Sequence, residues 1–271
     1  MIEVQHLTKR YGNNLAVSNL SFTIEKGRIY GFLGPNGAGK STTMNMMTGC
    51  LAATAGHVRI NGHDIFEDPY MAKRLIGYLP EHPPVYMDRT PREYLTFVGN
   101  CKGLSGKALK QEISRVMELT KITHMADRLI GHLSKGYRQR VGIAQAILGD
   151  PEVIILDEPM VGLDPAQIQE IRQLIRDLGK DHTVILSSHI LSEVQAVCET
   201  ILIISGGKLI AMDTPEGLEQ QFASDTVIEL TAMGDEACVR EILGGISGIA
   251  VEKLEQQGNY CNAEQIGRAH V

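Results

Sequence analysis

A glycine-rich segment near the N-terminus has the residue types and spacing needed to hold phosphate groups. It lies between a predicted strand that ends at Leu33 and a predicted helix that begins at Lys40. Glycines let the backbone curl so that several N–H groups face one anion, and the helix N-terminus adds a favourable dipole. In this pattern Lys40 reaches the β- and γ-phosphates of a nucleotide, and the Ser41 hydroxyl is offered to Mg²⁺. The segment consists of Gly34, Pro35, Asn36, Gly37, Ala38, Gly39, Lys40 and Ser41, and Thr42 follows it.

Two adjacent carboxylates, Asp157 and Glu158, follow the apolar run Val153–Leu156. This run predicts a buried parallel strand, and ligands of open α/β sheets bind beyond the carboxyl ends of such strands. We therefore expect Asp157 to help bind Mg²⁺ and Glu158 to act as the general base for an attacking water. An acidic pair after an apolar run is on its own more typical of a solvated turn. The phosphate-binding segment in the same chain favours the catalytic interpretation.

Strands and helices alternate around both segments, which predicts a parallel sheet covered by helices. The first 33 residues instead alternate strand and turn, and the stretch from Pro69 to Gly149 has a mostly helical pattern. A hairpin is predicted around Asn61-Gly62. Strands are predicted at Ile2–Val4, Ala16–Ile24, Arg28–Leu33, Val153–Leu156, Thr183–Leu186 and Ile201–Ile204. Helices are predicted at Lys40–Gly49, Gly106–Thr120, Pro165–Gly179 (with Asp164 as N-cap) and from Ile190.

The composition of the chain limits its partners. Of 271 residues, 43% are hydrophobic and 21% are charged, as in a globular protein with a buried core. The net charge of -6 gives no electrostatic attraction to nucleic acid, so no nucleic-acid partner is expected. Five scattered cysteines without a CxxC spacing predict neither a metal site nor a disulfide framework. No apolar run approaches the roughly 20 residues of a membrane span or the length of a secretion signal. We therefore expect another chain to provide any membrane span.

A third motif, Leu133-Ser134-Lys135-Gly136-Tyr137-Arg138-Gln139-Arg140, precedes the acidic pair. It resembles the LSGGQ-x-Q-R signature of the ATP-binding-cassette (ABC) ATPases, and the resemblance covers residues 1 to about 222. Gly162–Pro165, which includes Asp164, is similar to the D-loop of this family, and His189 is similar to its switch histidine. Tyr11 resembles the aromatic residue that stacks on adenine. Taken alone, His189 and Tyr11 would more often be structural residues.

The resemblance implies an ATPase that uses ATP and Mg²⁺. It implies an α/β fold: a P-loop nucleotide hydrolase with a RecA-like parallel sheet core, an N-terminal antiparallel β subdomain and an inserted helical subdomain at about residues 82–148. It also implies a head-to-tail dimer, with a second identical ATPase subunit as the favoured partner. Each ATP would lie between the phosphate-binding segment of one subunit and the signature of the other, where Ser134 and Gly136 contact the γ-phosphate.

The sequence departs from the family pattern at three positions. Ile76–Glu81 is similar to the Q-loop, but Glu81 stands where glutamine is usual; it can still ligate Mg²⁺ beside the ATP. In the signature, Lys135 replaces glycine and Tyr137 replaces glutamine. Because the changes at Glu81 and Lys135 have opposite sign, we hypothesise that they partly compensate in the closed dimer. A pair about 4 Å apart would interact by about 4 kcal/mol at an effective dielectric of about 20. The alternative is that Lys135 points into solvent.

The sequence is compatible with three functions. The first is the ATP-binding subunit of a membrane transporter, peripheral at the cytoplasmic face of the cell membrane, with a separately encoded membrane-spanning permease. It is favoured by the single cassette and by the proline-rich stretch Glu81–Pro91, where this family meets its membrane partner. Tyr78–Glu81 and Leu133–Tyr137 most resemble cassettes of drug- and sodium-export and gliding-motility systems, so an exporter is expected. The second is a soluble cassette ATPase acting on ribosomes or nucleic acid. The third, a small-molecule kinase, shares only the phosphate-binding segment.

A second, smaller unit is predicted from about residue 225, with a strand at Thr226–Leu230, a helix at Glu236–Leu243 and a strand at Ile249–Leu254. The last six residues, Ile266–Val271, correspond to the translation of a common sequencing adapter (ATC GGA AGA GCA CAC GTC). We therefore interpret residues 265–271 as an artefact and residues 225–264 as an incomplete α+β accessory domain. A longer genomic sequence with the same six residues after Gln265 would contradict this interpretation.

Overall fold

Two sheets organise the first of the two units into which the chain divides, Met1–Pro215; the second unit starts at Glu216. The structure, a computed structural model, describes residues 1–222, 226–245, 249–257 and 259–267. The strands of the first unit are β1 (Ile2–Tyr11), β2 (Asn14–Ile24), β3 (Ile29–Leu33), β4 (Ala55–Ile60), β5 (His63–Asp64), β6 (Ile76–Leu79), β7 (Val153–Leu156), β8 (Thr183–Ser188), β9 (Thr200–Ser205) and β10 (Lys208–Asp213).

The helices lie between these strands. They are α1 (Lys40–Met47), α2 (Pro69–Arg74), α3 (Pro91–Cys101), α4 (Gly106–Leu119), α5 (Lys135–Ile147), α6 (Pro165–Gly179) and α7 (Leu191–Gln195), and α8 (Pro215–Phe222) begins at the end of the unit. One of them, α6, begins at the predicted cap. The Asp164 carboxylate accepts a hydrogen bond from the Gln167 backbone N–H at 2.9 Å, and Pro165 occupies the first turn of α6.

The larger sheet has the order β10-β9-β3-β8-β7-β6. Strand β3 is parallel to β8 and β9, and β7 is parallel to β8 and β6, while β10 pairs antiparallel at the edge. The predicted parallel α/β core is thus confirmed. Leu33 pairs with Ser188 and Leu156 with Leu186, so the carboxyl ends of β3, β7 and β8 lie side by side. The loops that follow these strands therefore meet at one edge of the sheet.

The smaller sheet, β2-β1-β4-β5, is antiparallel. The predicted hairpin joins β4 to β5, with Asn61 and Gly62 at φ +49° and +87°, as a two-residue turn with two positive φ angles requires. The predicted strand at Ile2–Val4 proved too short, because β1 continues to Tyr11. Its pairing is irregular after Val4, and His6 has a φ of +52°. This bulge interrupts the alternation of side chains that would have revealed the whole strand.

Strand β6 lies within the stretch predicted to be mostly helical, so that prediction was wrong there. The strand is four residues long and contains Gly77, which lowers its strand propensity. A Cβ atom on Gly77 would lie 2.0 Å from the backbone oxygen of Ala146 in α5. Glycine is required because α5 packs directly on the backbone of β6. Strand β10 was also missed.

The second unit contains an antiparallel sheet of order β11-β13-β12 in its described residues. Its elements are β11 (Thr226–Met233), α9 (Glu236–Gly244), β12 (Ile249–Gln257) and β13 (Tyr260–Gly267). Val239 and Leu243 of α9 are buried with Cys261. Strand β13 was not predicted, and its backbone pairs with β11 and β12 as far as Gly267. Residues 268–271 lie outside the described residues, and the adapter origin of the last residues stays a prediction.

Candidate nucleotide-binding site

A cavity of about 340 Å³ is lined by segments that follow β3, β6, β7 and β8. It brings together most of the residues that the sequence predicted to act on a nucleotide. The lining residues are Ala16, Pro35, Asn36, Gly37, Ala38, Gly39, Lys40, Ser41, Thr42, Glu81, Glu158, Val161 and His189. The predicted residues Gly34 and Asp157 do not line this cavity, and neither does Tyr11, which is predicted to stack on adenine. It is 49% exposed, with the Lys9 ammonium 5.2 Å from its ring centroid.

The phosphate-binding segment is shaped by its glycines. Gly37 and Gly39 have φ angles of +79° and +103°, and Gly39 is the N-cap of α1. Gly34 is needed for a different reason, because a Cβ atom there would lie 2.2 Å from the backbone oxygen of Ile204 in β9. The segment therefore runs close to β9 and then enters the first turn of α1, and its residues from Pro35 to Ser41 line the cavity.

Lys40 is only 6% exposed, and its ammonium group has three oxygen neighbours. It donates hydrogen bonds to the backbone oxygens of Gly34 at 2.7 Å and Pro35 at 3.4 Å. Its Nζ also lies 3.4 Å from Oε1 of Glu158. The structure thus joins the phosphate-binding segment to the acidic pair through one buried charge, although the two are more than 100 residues apart in the sequence.

The acidic pair is held by one serine. The Ser187 hydroxyl donates to Oδ1 of Asp157 at 2.6 Å and accepts a hydrogen bond from the Glu158 backbone N–H at 2.8 Å. All three residues are buried, and Glu158 has a φ of +48°, which is unfavourable for a residue with a side chain. Ser187 therefore fixes both the direction of the Asp157 carboxylate and the strained backbone from which the Glu158 side chain projects.

His189 is placed beside Glu158 by the turn that follows β8. Its Nδ1 lies 3.1 Å from Oε2 of Glu158, which accepts the hydrogen bond. The turn is fixed by Ser188, whose hydroxyl donates to the buried Glu193 carboxylate at 2.6 Å and accepts from the Ile190 N–H at 3.1 Å. One oxygen of the Glu158 carboxylate therefore contacts the Lys40 ammonium, and the other contacts the His189 ring.

Ser187, Ala16 and Val161 were not predicted as site residues. The sequence does carry a signal for Ser187, because two hydroxyl residues follow the apolar residues Val184–Leu186 and precede His189. A buried hydroxyl at the carboxyl end of a parallel strand needs a hydrogen-bond partner. The sequence could not show that this partner is Asp157, because it belongs to the neighbouring strand.

The predicted signature residues do not line this cavity. Ser134 is the N-cap of α5 and accepts a hydrogen bond from the Tyr137 N–H at 3.4 Å. Gly136 and Tyr137 line a separate cavity of about 220 Å³, where the Tyr137 hydroxyl lies 3.0 Å from Nε2 of His124. Asp164 caps α6 and likewise does not line the nucleotide cavity.

Lys135 and Glu81 of the same chain line a third cavity, of about 400 Å³. Among the described residues they form no ion pair with each other. The Lys135 ammonium instead lies against Gly162, where a Cβ atom would be 2.1 Å from Nζ. The hypothesis that Glu81 and Lys135 compensate across two subunits stays a prediction.

A parallel sheet with this loop after one strand and this acidic pair after another is the architecture of the P-loop nucleotide hydrolases, and the chain is one of them. A family model described as ABC transporter matches residues 17–161. The chain belongs to that family, as the signature motif predicted. It is 42% identical to the bacitracin transport ATP-binding protein BcrA of Bacillus licheniformis, over 78% of this chain and 68% of the relative.

A second relative and a solved structure are also ATP-binding components of this family. The chain is 35% identical to the linearmycin resistance ATP-binding protein LnrL of Bacillus subtilis (strain 168), over 94% of this chain and 83% of the relative. Among solved structures, it matches a dimeric bacterial ABC transporter cassette with a TM-score of 0.72 and 25% identity, over 79% of this chain and 98% of the cassette. The protein is therefore an ATP-binding and ATP-hydrolysing subunit of an ABC transporter.

Replacing Ser187 with alanine is expected to lower kcat for ATP hydrolysis about tenfold and to leave KM for ATP nearly unchanged. The hydroxyl orients Asp157 and Glu158 and does not itself line the cavity. Loss of a buried hydrogen bond to a charged group costs about 1.5–3 kcal/mol, and about 1.4 kcal/mol corresponds to a factor of ten in rate. Steady-state hydrolysis over a range of ATP concentrations measures both constants.

The control for this prediction is Ser187→Thr, which keeps the hydroxyl and should recover most of the lost kcat. Thermal unfolding of both variants separates a local effect on the acidic pair from general destabilisation. A threonine variant as slow as the alanine variant, with an unchanged melting temperature, would show that the hydroxyl does not position the carboxylates.

Proposed function

We propose that the chain is the ATPase subunit of an exporter that drives a separately encoded permease by ATP-dependent closure of a head-to-tail dimer. The observation that carries this proposal is the incompleteness of the site. The cavity contains the phosphate-binding segment, Glu158 and His189, whereas Ser134 and Gly136 of the same chain lie elsewhere. A second subunit can supply those two residues. The bacitracin transport and linearmycin resistance names of two relatives support export as the direction.

The residues of the cavity suit ATP with Mg²⁺. Lys40 is placed to bind the β- and γ-phosphates, beside the N–H groups of the glycine-rich segment. The Ser41 hydroxyl and the Glu81 carboxylate line the cavity, and the buried Asp157 carboxylate lies next in sequence to the lining residue Glu158. These three groups would hold Mg²⁺, which prefers hard oxygen ligands of this kind. When bound, Mg²⁺ neutralises charge on the phosphate oxygens.

Glu158 is the proposed general base. Its Oε1 is paired with the Lys40 ammonium, and phosphate oxygens compete with this carboxylate for Lys40 when ATP binds. Release from Lys40 leaves Oε1 able to accept a proton from the attacking water. His189 holds Oε2 through its Nδ1, so the carboxylate keeps one orientation while the other oxygen takes the proton. His189 is thus a positioning residue for the base.

Closure of the dimer completes the proposed site. Ser134 and Gly136 lie at the N-terminus of α5, so their backbone N–H groups and the Ser134 hydroxyl can face a γ-phosphate on a partner subunit. Lys135 and Tyr137 lie on the same first turn, and Asp164 caps the neighbouring helix α6. Tyr11 is exposed, and adenine would stack on its ring outside the phosphate cavity after displacing the Lys9 ammonium.

An exposed aromatic patch is the proposed contact with the permease. It consists of Tyr86, Met87 and Phe97, which are 47%, 53% and 49% exposed. Tyr86 packs on Phe97 and on Tyr94 with ring centroids 5.6 Å apart in both pairs. Clustered exposed apolar side chains are typical of interaction sites. Tyr86 and Met87 fall in the stretch predicted to meet the membrane partner.

None of the helices in the described part of the chain combines the length and apolarity that crossing a bilayer requires. As a separate part of the proposal, the chain is held at the cytoplasmic face of the membrane by its permease.

The test is co-expression with a permease encoded by a neighbouring gene, followed by recovery of the chain with the membrane fraction. Phe97→Asp is expected to lower recovery at least tenfold, because a buried interface cannot accommodate an unpaired charge. Leu119→Asp, on an exposed position of α4, is the matched control and should be recovered like the unmodified chain. Equal recovery of the two variants would reject the aromatic patch as the docking site.

A further inference from the structure

The signature motif has a side-chain partner outside its own helix. Tyr137, in the first turn of α5, has its hydroxyl 3.0 Å from Nε2 of His124, and the two rings meet edge to face with centroids 5.5 Å apart. His124 belongs to a short 3₁₀ helix, Thr123–Met125, between α4 and α5. It precedes Tyr137 by 13 residues and lies outside the signature. The proposed function gives this pair of side chains no role.

The pair coincides with a departure from the family pattern. Tyr137 stands where the ABC signature has glutamine. A tyrosine carries a single hydroxyl group, which both donates and accepts hydrogen bonds, on a rigid aromatic ring. His124 satisfies the hydroxyl, and the edge-to-face packing of the rings restricts the tyrosine further. Together the two contacts hold the half-buried Tyr137 side chain in one orientation.

The first turn of α5 is also held from the side of α6. A Cβ atom on Gly136 would lie 2.4 Å from Oε1 of Gln167, so the Gln167 side chain packs directly on the Gly136 backbone. The backbone N–H of Gln167 is itself bound by the Asp164 carboxylate at 2.9 Å. The signature turn therefore lies between two supports, Gln167 on α6 and His124 on the 3₁₀ helix.

Both supports line the cavity of about 220 Å³, and Arg140 joins its walls. Arg140 is buried, and its guanidinium donates to the backbone oxygen of Thr120 at 3.1 Å and to the Glu170 carboxylate on α6. The ammonium of Lys121 lies 3.9 Å from the same carboxylate. Lys121 and Arg140 are thus both paired with Glu170, which suits a cluster that fixes its own walls better than one that binds an anion.

Tyr137 connects this cluster to Ser134. Its backbone N–H donates to the Ser134 hydroxyl oxygen at 3.4 Å. Because that oxygen already accepts a hydrogen bond, the hydroxyl proton stays available to another acceptor, such as a phosphate oxygen. Loss of the His124 contact would free the Tyr137 side chain and loosen the first turn of α5, from which the Ser134 hydroxyl and the Gly136 N–H project.

We propose that His124 is a positioning residue for ATP-dependent dimer closure: it holds Tyr137, and through it the signature turn, in the orientation that meets the γ-phosphate on the partner subunit. The inference rests on the proposed function and adds to it a residue outside the signature. His124 does not line the nucleotide cavity of its own subunit. It therefore acts on dimerisation and leaves ATP binding by the free chain unchanged.

The experiment measures the dissociation constant of the dimer by sedimentation of the full Glu158→Gln chain with ATP and Mg²⁺. His124→Ala in this background is expected to raise that constant about tenfold. Loss of one hydrogen bond changes an equilibrium about threefold, and a twofold dimer contains the contact twice. Thr123→Ala, an exposed neighbour outside the cavity, is the matched control and should dimerise like the Glu158→Gln parent. ATP titration below the dissociation constant of the dimer should give both variants the same affinity.

Two more variants separate positioning from a general effect on the fold. His124→Gln places an amide group near the position of Nε2 and should restore most of the lost dimerisation. Tyr137→Phe removes the hydroxyl and should weaken the dimer as His124→Ala does, with no further loss in the double variant. Additive losses in the double variant would overturn the inference. So would a loss that His124→Gln does not restore, or equal dissociation constants for His124→Ala and Thr123→Ala.

The same series tests the proposed function separately. If the Glu158→Gln parent forms no dimer with ATP, or one that Ser134→Arg leaves intact, closure through the signature is rejected, and the role of His124 with it. If the dimer forms and Ser134→Arg disrupts it while His124→Ala does not weaken it, the proposed function stands and the inference about His124 fails.

Discussion

Changing Glu158 to glutamine is expected to lower the rate of ATP hydrolysis by a factor of about 10²–10⁴ while ATP binding is retained, because general-base catalysis contributes about that much. Glutamine keeps the shape of the side chain and can still accept a hydrogen bond from His189. It cannot take a proton from water, and it no longer pairs ionically with Lys40, from which Oε1 of Glu158 is 3.4 Å away. Lys40 is then more available to phosphate, so ATP affinity should not fall.

Single-turnover hydrolysis and equilibrium binding of ATP measure the two effects separately. The control is Glu152→Gln, which removes an exposed carboxylate paired with Lys26 away from the cavity. It should hydrolyse ATP like the unmodified chain. A Glu158→Gln variant within threefold of the unmodified rate would mean that another group takes the proton.

The same variant also tests dimer closure. If closure needs ATP and opening needs hydrolysis, Glu158→Gln with ATP should accumulate as a dimer in size-exclusion chromatography, whereas the unmodified chain turns over and returns to monomer. Adding Ser134→Arg, which places a bulky charge at the N-terminus of α5, should abolish that dimer. A dimer that resists this change would not use the signature as its contact.

The phosphate-binding segment was predictable because its determinants are local. The positive φ angles of Gly37 and Gly39 and the start of α1 at Lys40 all follow from a few consecutive residues. The acidic pair was predictable for a similar reason, since the apolar run before it forms a strand of four buried residues. In both cases one short stretch contains the strand, the turn and the functional side chains.

The contacts within the site were not predictable, because they depend on which strands are neighbours. Ser187 meets Asp157 only because β8 lies beside β7, and Lys40 meets Glu158 only because β8 also lies beside β3. Pattern and propensity show that strands exist, but the order of strands in a parallel sheet is set by long crossover connections. The site residues predicted from the sequence therefore included Lys40, Asp157 and Glu158. They did not include Ser187, which orients the two carboxylates.

Strand β6 illustrates a second limit. Gly77 weakens the strand pattern, yet it is there because the backbone of α5 approaches within contact distance, with a Cβ atom placed 2.0 Å from the Ala146 oxygen. The contact between α5 and β6 therefore requires glycine at position 77, although glycine lowers the local strand propensity. This contact also helps to position site residues, because β6 leads directly to Glu81 and α5 begins at the signature.

Gly34→Ala is expected to weaken ATP binding about 100-fold. The added Cβ atom would lie 2.2 Å from the backbone oxygen of Ile204, and β9 cannot move away because it is paired with β3 on one side and β10 on the other. The phosphate-binding segment must shift instead. Overpacking of this kind costs about 1–3 kcal/mol, and about 2.7 kcal/mol corresponds to the expected loss. The shift also moves the Gly34 oxygen that accepts the Lys40 hydrogen bond at 2.7 Å.

Isothermal titration of ATP into the variant measures the effect, and two further variants test its cause. Gly245→Ala adds a Cβ atom no closer than 3.4 Å to another atom and should bind ATP normally. The double variant Gly34→Ala/Ala38→Gly removes the second contact of the new Cβ atom, with the Ala38 Cβ at 3.2 Å, but leaves the collision with Ile204. It should bind ATP as weakly as Gly34→Ala alone. Recovery of binding in the double variant would place the cause within the segment and not at β9.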